Sequence, residues 1–215
     1  MIKKFYQSYG YLILLAYLIA AYFVPALGIV AIICMLAPLF FAAIGKGRYW
    51  CGNFCPRGNF YDNVLSFTSR KRKVPRFFRS TFLRIFMVLF ILSNFTLGII
   101  KNWGNPAGIG FVFYRIIVIT TLVAIVLALF YQPRTWCHFC PMGTLSHYIA
   151  RLRGRKVNIQ VGNSCVGCKA CNRACPMDLT PAASKGGNVS SMDCILCEKC
   201  VYTCPKQVVT KDSSH

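Results

Sequence analysis

Cys165-Val166-Gly167-Cys168-Lys169-Ala170-Cys171-Asn172-Arg173-Ala174-Cys175-Pro176 is matched, in its cysteines and its proline, by Cys194-Ile195-Leu196-Cys197-Glu198-Lys199-Cys200-Val201-Tyr202-Thr203-Cys204-Pro205. The segment that carries both runs, residues 158–215, is rich in Cys, Gly and Pro and too short to build a sizeable apolar core. A segment of that kind needs a staple of disulfides or metal. Cys-x2-Cys also suits tetrahedral zinc, but zinc does not call for three cysteines at successive x2 spacings followed by Cys-Pro, twice over. Three thiolates on one tight loop reach three irons of a cube, and a distant fourth closes the site. The runs therefore read as the ligands of two [4Fe–4S] clusters.

Over residues 163–209 the chain resembles the two-[4Fe–4S] ferredoxins. The resemblance implies that the fourth cysteine of each run serves the other cluster. One cluster then takes Cys165, Cys168, Cys171 and Cys204, and the other takes Cys194, Cys197, Cys200 and Cys175. Lys169, Arg173 and Lys199 sit close to both runs. Tuning of potential, docking of an acidic donor and a solvated surface are all open for them.

Outside this segment the chain changes character. Of 215 residues, 56% are hydrophobic and 14% charged, with 25 Lys and Arg against 5 Asp and Glu; the mean hydropathy is +0.50. A basic chain suggests nucleic acid, but here the basic residues alternate with long apolar stretches, which excludes that partner in favour of a membrane. Four stretches approach the roughly 20 apolar residues that cross a bilayer: 9–24, 26–44, 83–100 and 111–131. The first runs into the second through Pro25, so these two read as a tight hairpin. Lys3 and Lys4 ahead of an apolar run have the look of a signal peptide, but a second apolar span follows in place of a cleavage region. The connection between the second and third spans holds Lys46, Arg48, Arg57, Arg70, Lys71, Arg72, Lys73, Arg76 and Arg79. The positive-inside rule then puts the N-terminus, this connection and everything after Tyr131 on the cytoplasmic side, where disulfides are disfavoured.

The membrane part reads as two copies of one unit. Trp50-Cys51-Gly52-Asn53-Phe54-Cys55-Pro56-Arg57-Gly58 matches Trp136-Cys137-His138-Phe139-Cys140-Pro141-Met142-Gly143 with one residue deleted between the cysteines. Each copy follows a pair of spans and leads to a basic run, 70–74 and 153–157. Pro56 and Pro141 suit the first turn of a helix. Leu145, Tyr148, Ile149 and Leu152, and more loosely Phe60, Val64 and Leu65, fall on one helical face, as expected of segments lying in the interface plane. Three readings are open for Cys51, Cys55, Cys137 and Cys140: ligands of a further iron–sulfur centre built from both halves, a redox-thiol or metal-handling site, or inert structural cysteines. Cys34 reads as packing within its span.

The spans, the paired Cys-Pro motifs and the C-terminal cysteine runs together resemble the NapH/NosR-type membrane polyferredoxins, a likeness that covers nearly the whole chain. The family motif is Cys-x3-Cys-Pro, which Cys51 and Cys55 match, whereas Cys137 and Cys140 carry x2. The resemblance implies four transmembrane helices in two pseudo-symmetric hairpins over residues 1–157, and a small α+β ferredoxin-like domain over 158–215. It also implies an inner-membrane subunit passing electrons between a quinol or cytoplasmic donor and a membrane or extracytoplasmic partner. That partner is a ferredoxin, a flavoprotein or a reductase subunit, and the chain works as a component of an oxidoreductase complex without a catalytic residue of its own. Copper-related accessory proteins of respiratory oxidases share the pattern, so copper handling is an alternative, as is a redox sensor.

His138, His147 and His215 are the only histidines and none falls in a span, so no haem is expected in the bundle. The spans carry no Asp, Glu, Lys or His deep in the membrane, which argues against a self-contained quinol site there. Asp62, His138, His147, Arg84 and Arg115 remain as interfacial groups. For Asp62 pairing with a neighbouring arginine is expected, and for His138 ligation, hydrogen bonding and a bystander role are all open. Ser93, Asn94 and Thr96 are expected to bond neighbouring helices, and the run from Arg70 to Lys73 to contact anionic lipid.

Overall fold

The computed structural model describes residues 2–70, 72–154 and 157–211; Lys71 and His215, named above, and Arg155 and Lys156 of the second basic run lie outside the described residues. Uninterrupted apolar runs give the long helices. Helix α1 spans Ile2–Phe23. Pro25, whose fixed φ suits a first helical position, opens a 3₁₀ turn, Pro25–Val30, that leads directly into α2, Ala31–Ala43. After a turn through Gly45 and Gly47, both at positive φ, come the short helices α3 (Tyr49–Asn53) and α4 (Pro56–Phe60). A π-helical turn, Tyr61–Leu65, and a last turn, α5 (Ser66–Thr68), continue α4.

The second half repeats this plan. Ser80 caps α6 (Thr81–Lys101) by accepting from the Leu83 N–H at 3.3 Å. Asn105 caps α7 (Pro106–Phe130) by accepting from Ala107 and Gly108; a capping side chain of this kind contributes about 1 kcal/mol. A 3₁₀ turn, Thr135–His138, then precedes α8 (Pro141–Leu152).

Three of the described helical segments are long and apolar enough to cross a membrane: Pro25–Ala43, Thr81–Lys101 and Pro106–Phe130. Helix α1 extends further towards the N-terminus than the expected span at 9–24, and its first turns take in Lys3, Lys4 and Gln7, which dilute its apolar character. The outward sides of these helices stay apolar and exposed, as at Ile19, Phe40, Leu89 and Leu122, which suits contact with lipid. Inside, Tyr61, Ile91, Phe95, Val112, Phe113, Trp136 and Phe139 form one cluster. The 3₁₀ turn before α2 crosses α7 at a glycine pair: a Cβ on Gly28 would run into the Gly110 carbonyl, and one on Gly110 into the Pro25 carbonyl. Asn94 and Thr96 correct one expectation. They lie on the outward side of α6 and bond back to the carbonyls of Phe90 and Leu92 in their own helix, not across to a neighbour.

Helix α8 packs on α2 through small residues. Gly143, Ser146 and Ala150 are buried, and the Ser146 hydroxyl donates to the Pro38 carbonyl at 3.1 Å. Leu145, Tyr148 and Ile149 are half-buried, and Leu152 at the end of the helix is exposed.

The cysteine-rich segment forms a small α+β unit. A three-stranded antiparallel sheet in the order β2-β1-β3 is made by β1 (Ile159–Val161), β2 (Gly187–Asn188) and β3 (Val209–Lys211), with Gln160 opposite both Asn188 and Thr210. Two short helices, α9 (Ala170–Ala174) and α10 (Lys199–Tyr202), pack against each other. Val157, Ile159, Val161, Val189, Leu196 and Val209 fill the interior, and Cys171, Cys194 and Cys200 count among the buried residues of the same core.

Candidate iron–sulfur centres

Each cysteine run opens a short loop and then enters one turn of helix. In both loops a left-handed residue makes the bend: Gly167 and Lys169 in the first, Leu196 and Glu198 in the second. Only glycine adopts such angles without strain, so the non-glycine residues mark backbone constrained by the loop's shape. One hollow is lined by Cys165, Cys168, Cys171 and Cys204, and a second by Cys175, Cys194, Cys197 and Cys200. The fourth cysteine of each run thus crosses to the other run's loop. Backbone N–H groups point at the sulfurs as well. Burial is the largest single effect on the Cys204 thiol and raises it, but the N–H groups of residues 206–209 together hold it below its ordinary pKa. At Cys175 burial raises the thiol, although the N–H of Leu179 lies 3.4 Å from its sulfur. Four sulfurs and directed amides per hollow fit an iron–sulfur cube, whose potential such hydrogen bonds tune.

The third set lies in the turns that follow the long helices, in α3, in the Thr135–His138 turn and just before α4 and α8. Cys51, Cys55, Cys137 and Cys140 sit close enough for their thiols to influence one another electrostatically. Burial pushes the Cys51 thiol up to about 11 and the Cys137 thiol up to about 12, opposed in each case by Arg48 and Arg134. Cys55 is held down by contact with the Cys34 thiol, by the Gly58 N–H at 3.5 Å, and by Arg57 and Arg134. Among the described residues no three His, Cys, Asp or Glu converge tightly enough for one metal ion, so none of the three sets is drawn in around a single ion.

Arginines frame this third set in a reciprocal pattern. Arg48 stands three residues before Cys51 yet donates to the carbonyl of Cys137 at 2.6 Å; Arg134 stands three residues before Cys137 and donates to the carbonyl of Cys51 at 2.7 Å. Both are almost wholly buried, 1% and 2% exposed, so their charges must be compensated within the protein. Each passes a glycine of the other half: a Cβ on Gly143 would lie 2.5 Å from Arg48 Nη2, and one on Gly58 3.1 Å from Arg134. Arg57 bonds the Tyr61 hydroxyl and lies over the Trp136 ring, 5.8 Å from its centroid.

Two carboxylates lock the small unit onto this frame. Asp193, next to Cys194, accepts from Arg48 at 3.0 Å and from Arg84 at 2.7 Å, and pairs with His147 at 3.0 Å. Asp62 accepts from Arg134 at 2.7 Å and from Lys199, next to Cys200, at 2.8 Å. Although burial opposes it, these partners hold both carboxyls below their ordinary pKa. The expected Asp62–arginine pair is present, with the arginine drawn from the other repeat.

Gly52, beside Cys51, meets the Ile195 carbonyl so closely that a Cβ would collide with it, and the Asn53 amide donates to the Leu196 carbonyl at 3.3 Å. A polar cleft of about 130 Å³ is lined by both Cys55 and Cys197, with Asn53, Asn59, Asp62 and Arg134. Between α1, the Pro25–Val30 turn and α2, an apolar cavity of about 260 Å³ is bounded by Tyr6, Tyr17, Cys34, Trp50, Pro56 and Arg57. His138 is buried with neither ring nitrogen partnered; burial, then Arg79 and Arg48, lower its pKa to about 3 and keep it neutral.

Sequence reasoning names every cysteine in these sets. It takes Arg48 only as one of the basic residues of the connection and passes over Arg134 and Asp193, although a repeated Arg-x-Trp-Cys stands at 48–51 and 134–137.

Comparison with known proteins agrees with this layout. Residues 27–75 and 114–160, one stretch in each half of the membrane part, match the family described as 4Fe-4S binding domain, and residues 164–208 match the 4Fe-4S dicluster domain. The fold and these matches define an iron–sulfur electron-transfer protein with membrane character. Two uncharacterized proteins of Methanocaldococcus jannaschii are 26% and 25% identical over 74% and 76% of the chain, and over 62% and 71% of their own lengths. The ferredoxin-type protein NapH of Haemophilus influenzae is 26% identical over 79% of the chain and 63% of its own length. The chain thus carries the 4Fe-4S binding and dicluster domains and is similar to the NapH-type polyferredoxins, spanning less than two thirds of that relative's length. No solved structure matches it.

Proposed function

We propose that the protein is a multi-pass subunit of the inner membrane with three cluster sites in series. Cys165, Cys168, Cys171 and Cys204 hold the outermost, Cys175, Cys194, Cys197 and Cys200 the middle one, and Cys51, Cys55, Cys137 and Cys140 a third at the membrane surface. Helix α1 is the fourth span, a membrane part of residues 1–157 precedes the ferredoxin-like domain of 158–215, and the N-terminus and that domain face the cytoplasm. Bound clusters supply one-electron storage and transfer.

The observation that carries this reading is the contact of Gly52 with Ile195, which sets the Cys51 helix against the Cys194–Cys197 loop. Charge supports the third site. Arg48, Arg57, Arg84, Arg134 and Lys199 gather there with only Asp62 and Asp193 as described carboxylate partners. The indole N–H groups of Trp50 and Trp136 and the Nε of Arg48 and Arg57 are buried without acceptors. Four thiolates around a cube form a net anion with sulfur acceptors, which answers both conditions.

The residues of this chain do the rest: Asp193 and Asp62 fix the domain in place, and the arginines hold negative charge at Cys51, Cys55, Cys137 and Cys140. The apolar cavity at Cys34, Trp50 and Arg57 gives a lipid-soluble donor such as a quinol a place beside Cys55. The chain then relays electrons between such a donor, or a cytoplasmic one, and a redox partner in or across the membrane.

Counting iron and acid-labile sulfide on anaerobically purified protein tests this. Three four-iron clusters give about twelve irons per chain, and replacing Cys51 and Cys137 by Ser brings the count to about eight. A wild-type count of about eight removes the third cluster, and copper retained at these cysteines moves the site to metal handling.

A further inference from the structure

All four acidic residues within the described part of the chain are spent on pairs with basic side chains. Asp62 and Asp193 are committed as above, Asp178 pairs with Arg79 at 2.7 Å, and Glu198 with Lys211 at 2.9 Å. The small domain also carries Lys169, Arg173, Lys185 and Lys206, all exposed and in no ion pair among the described residues. Two of these, Lys169 and Lys206, line the hollow of Cys165, Cys168, Cys171 and Cys204. Cys168 is exposed, and beside it Val166 is 65% exposed. In contrast, Cys194 and Cys200 of the other hollow are buried. None of the described hydrogen bonds and ion pairs that tie the small domain to the membrane part uses residues 163–171 or 204–207.

We propose that the surface around this hollow, centred on Val166 and Cys168 and flanked by Lys169 and Lys206 in a domain whose other exposed basic residues include Arg173 and Lys185, is the docking surface for a small acidic electron-carrier protein. The proposal rests on the reading that the thiols of this hollow hold a cluster. The chemistry is that of transient redox encounters: a small apolar centre gives contact without permanence, and flanking charge of one sign steers a partner of the opposite charge. The exposed edge of the hollow brings the carrier's redox group near the thiols, whereas the buried second hollow faces inward to the membrane cysteines.

The test uses the full-length protein with its clusters, in nanodiscs of neutral phosphatidylcholine, so that anionic lipid plays no part. The probe is an oxidised plant-type [2Fe–2S] ferredoxin, with a basic cytochrome c as the opposite-charge control. Affinity is read by interferometry, independently of turnover. Kd for the ferredoxin is expected to rise about ten-fold or more between about 0.01 M and about 0.15 M salt, as the screening length shrinks from about 30 Å to about 8 Å. K169E/K206E is expected to weaken low-salt binding about ten-fold, while R72E/K73E, on the exposed basic run of the membrane part, changes it less than about two-fold. Salt-independent binding, no binding at low salt, equal loss in both variants, or equal binding of the cytochrome would each overturn the proposal. Iron counts on the same samples separate a failure of docking from a failure of the cluster reading: a wild type that holds eight or more irons and does not bind ferredoxin sinks only the docking surface.

Discussion

Arg48 and Arg134 exchange partners across the two halves of the molecule. Each stands three residues before the first cysteine of its own motif and donates to the carbonyl of the first cysteine of the other, at 2.6 and 2.7 Å. A guanidinium presents five donors in a rigid fork, so one side chain bonds a carbonyl of the opposite repeat and a carboxylate at once. The exchange ties the halves together at the point where their four cysteines meet.

Arg48→Met is expected to destabilise the protein by about 3–5 kcal/mol, because it leaves Asp193 short of a partner in a buried setting. Arg48→Lys keeps the charge but loses the fork and falls between the two. Heat denaturation in detergent, followed by circular dichroism, gives the order wild type, Lys, Met. Gly143→Ala reproduces part of the loss by pushing Arg48 aside; a Gly143→Ala protein as stable as wild type contradicts the tight passage.

The glycine pair at the crossing of α7 and the Pro25–Val30 turn makes a separate prediction. Gly28→Ala and Gly110→Ala each drive a methyl group into backbone, with an expected cost of about 1–3 kcal/mol or more. Gly187→Ala, where a Cβ meets nothing within 4 Å, is the control and stays within about 0.5 kcal/mol of wild type. Equal melting temperatures for all three would refute the close crossing.

Asp193 and Asp178 both reach from the small domain to the membrane part, in different settings. Arg48 and Arg84 at Asp193 are buried, whereas Arg79 at Asp178 is 31% exposed. Asp193→Asn is expected to cost about 3 kcal/mol or more and Asp178→Asn less than about 1 kcal/mol. Hydrogen exchange locates the effect: protection is lost along 157–211 and at the start of α6 in the Asp193 variant, and barely changes in the other. A larger loss for Asp178→Asn would reverse the ranking of the two clamps.

Iron removal separates the two parts of the chain. The core of the small domain counts Cys171, Cys194 and Cys200 among its members, and a unit of this size depends on its staple. Chelation under mildly oxidising conditions is therefore expected to unfold 157–211 while α6 and α7 keep their protection, as read by amide exchange. A small domain that retains its protection without iron would show that its apolar core suffices.

Legibility followed distance along the chain. The hollows of the small domain were readable because three of the four cysteines that line each lie within one short run, so spacing alone prescribes the geometry. The long helices were readable because a bilayer demands unbroken apolar runs, though their ends moved: the span expected at 111–131 became Pro106–Phe130 once Asn105 and Pro106 supplied a cap and a first turn. The partners of the clamps were not readable. The repeated Arg-x-Trp-Cys marks Arg48 and Arg134, but Arg48 meets Cys137 across 89 residues and Asp193 across 145, and local pattern does not choose a partner at such separations.

From its residues alone this chain determined its metal chemistry and its solvent: two cysteine runs whose spacing suits four-iron cubes, and apolar lengths that suit a bilayer. Tertiary structure decided what faces what. Only the folded chain brings Cys51 and Cys55 beside Cys137 and Cys140, sets Gly52 against Ile195, and turns the exposed edge of Cys168 outward. The reason is physical. Ligand spacing and hydrophobic length are local properties of a sequence, whereas a buried charge takes whichever partner the packing brings within reach, and here packing brought each arginine to the other half.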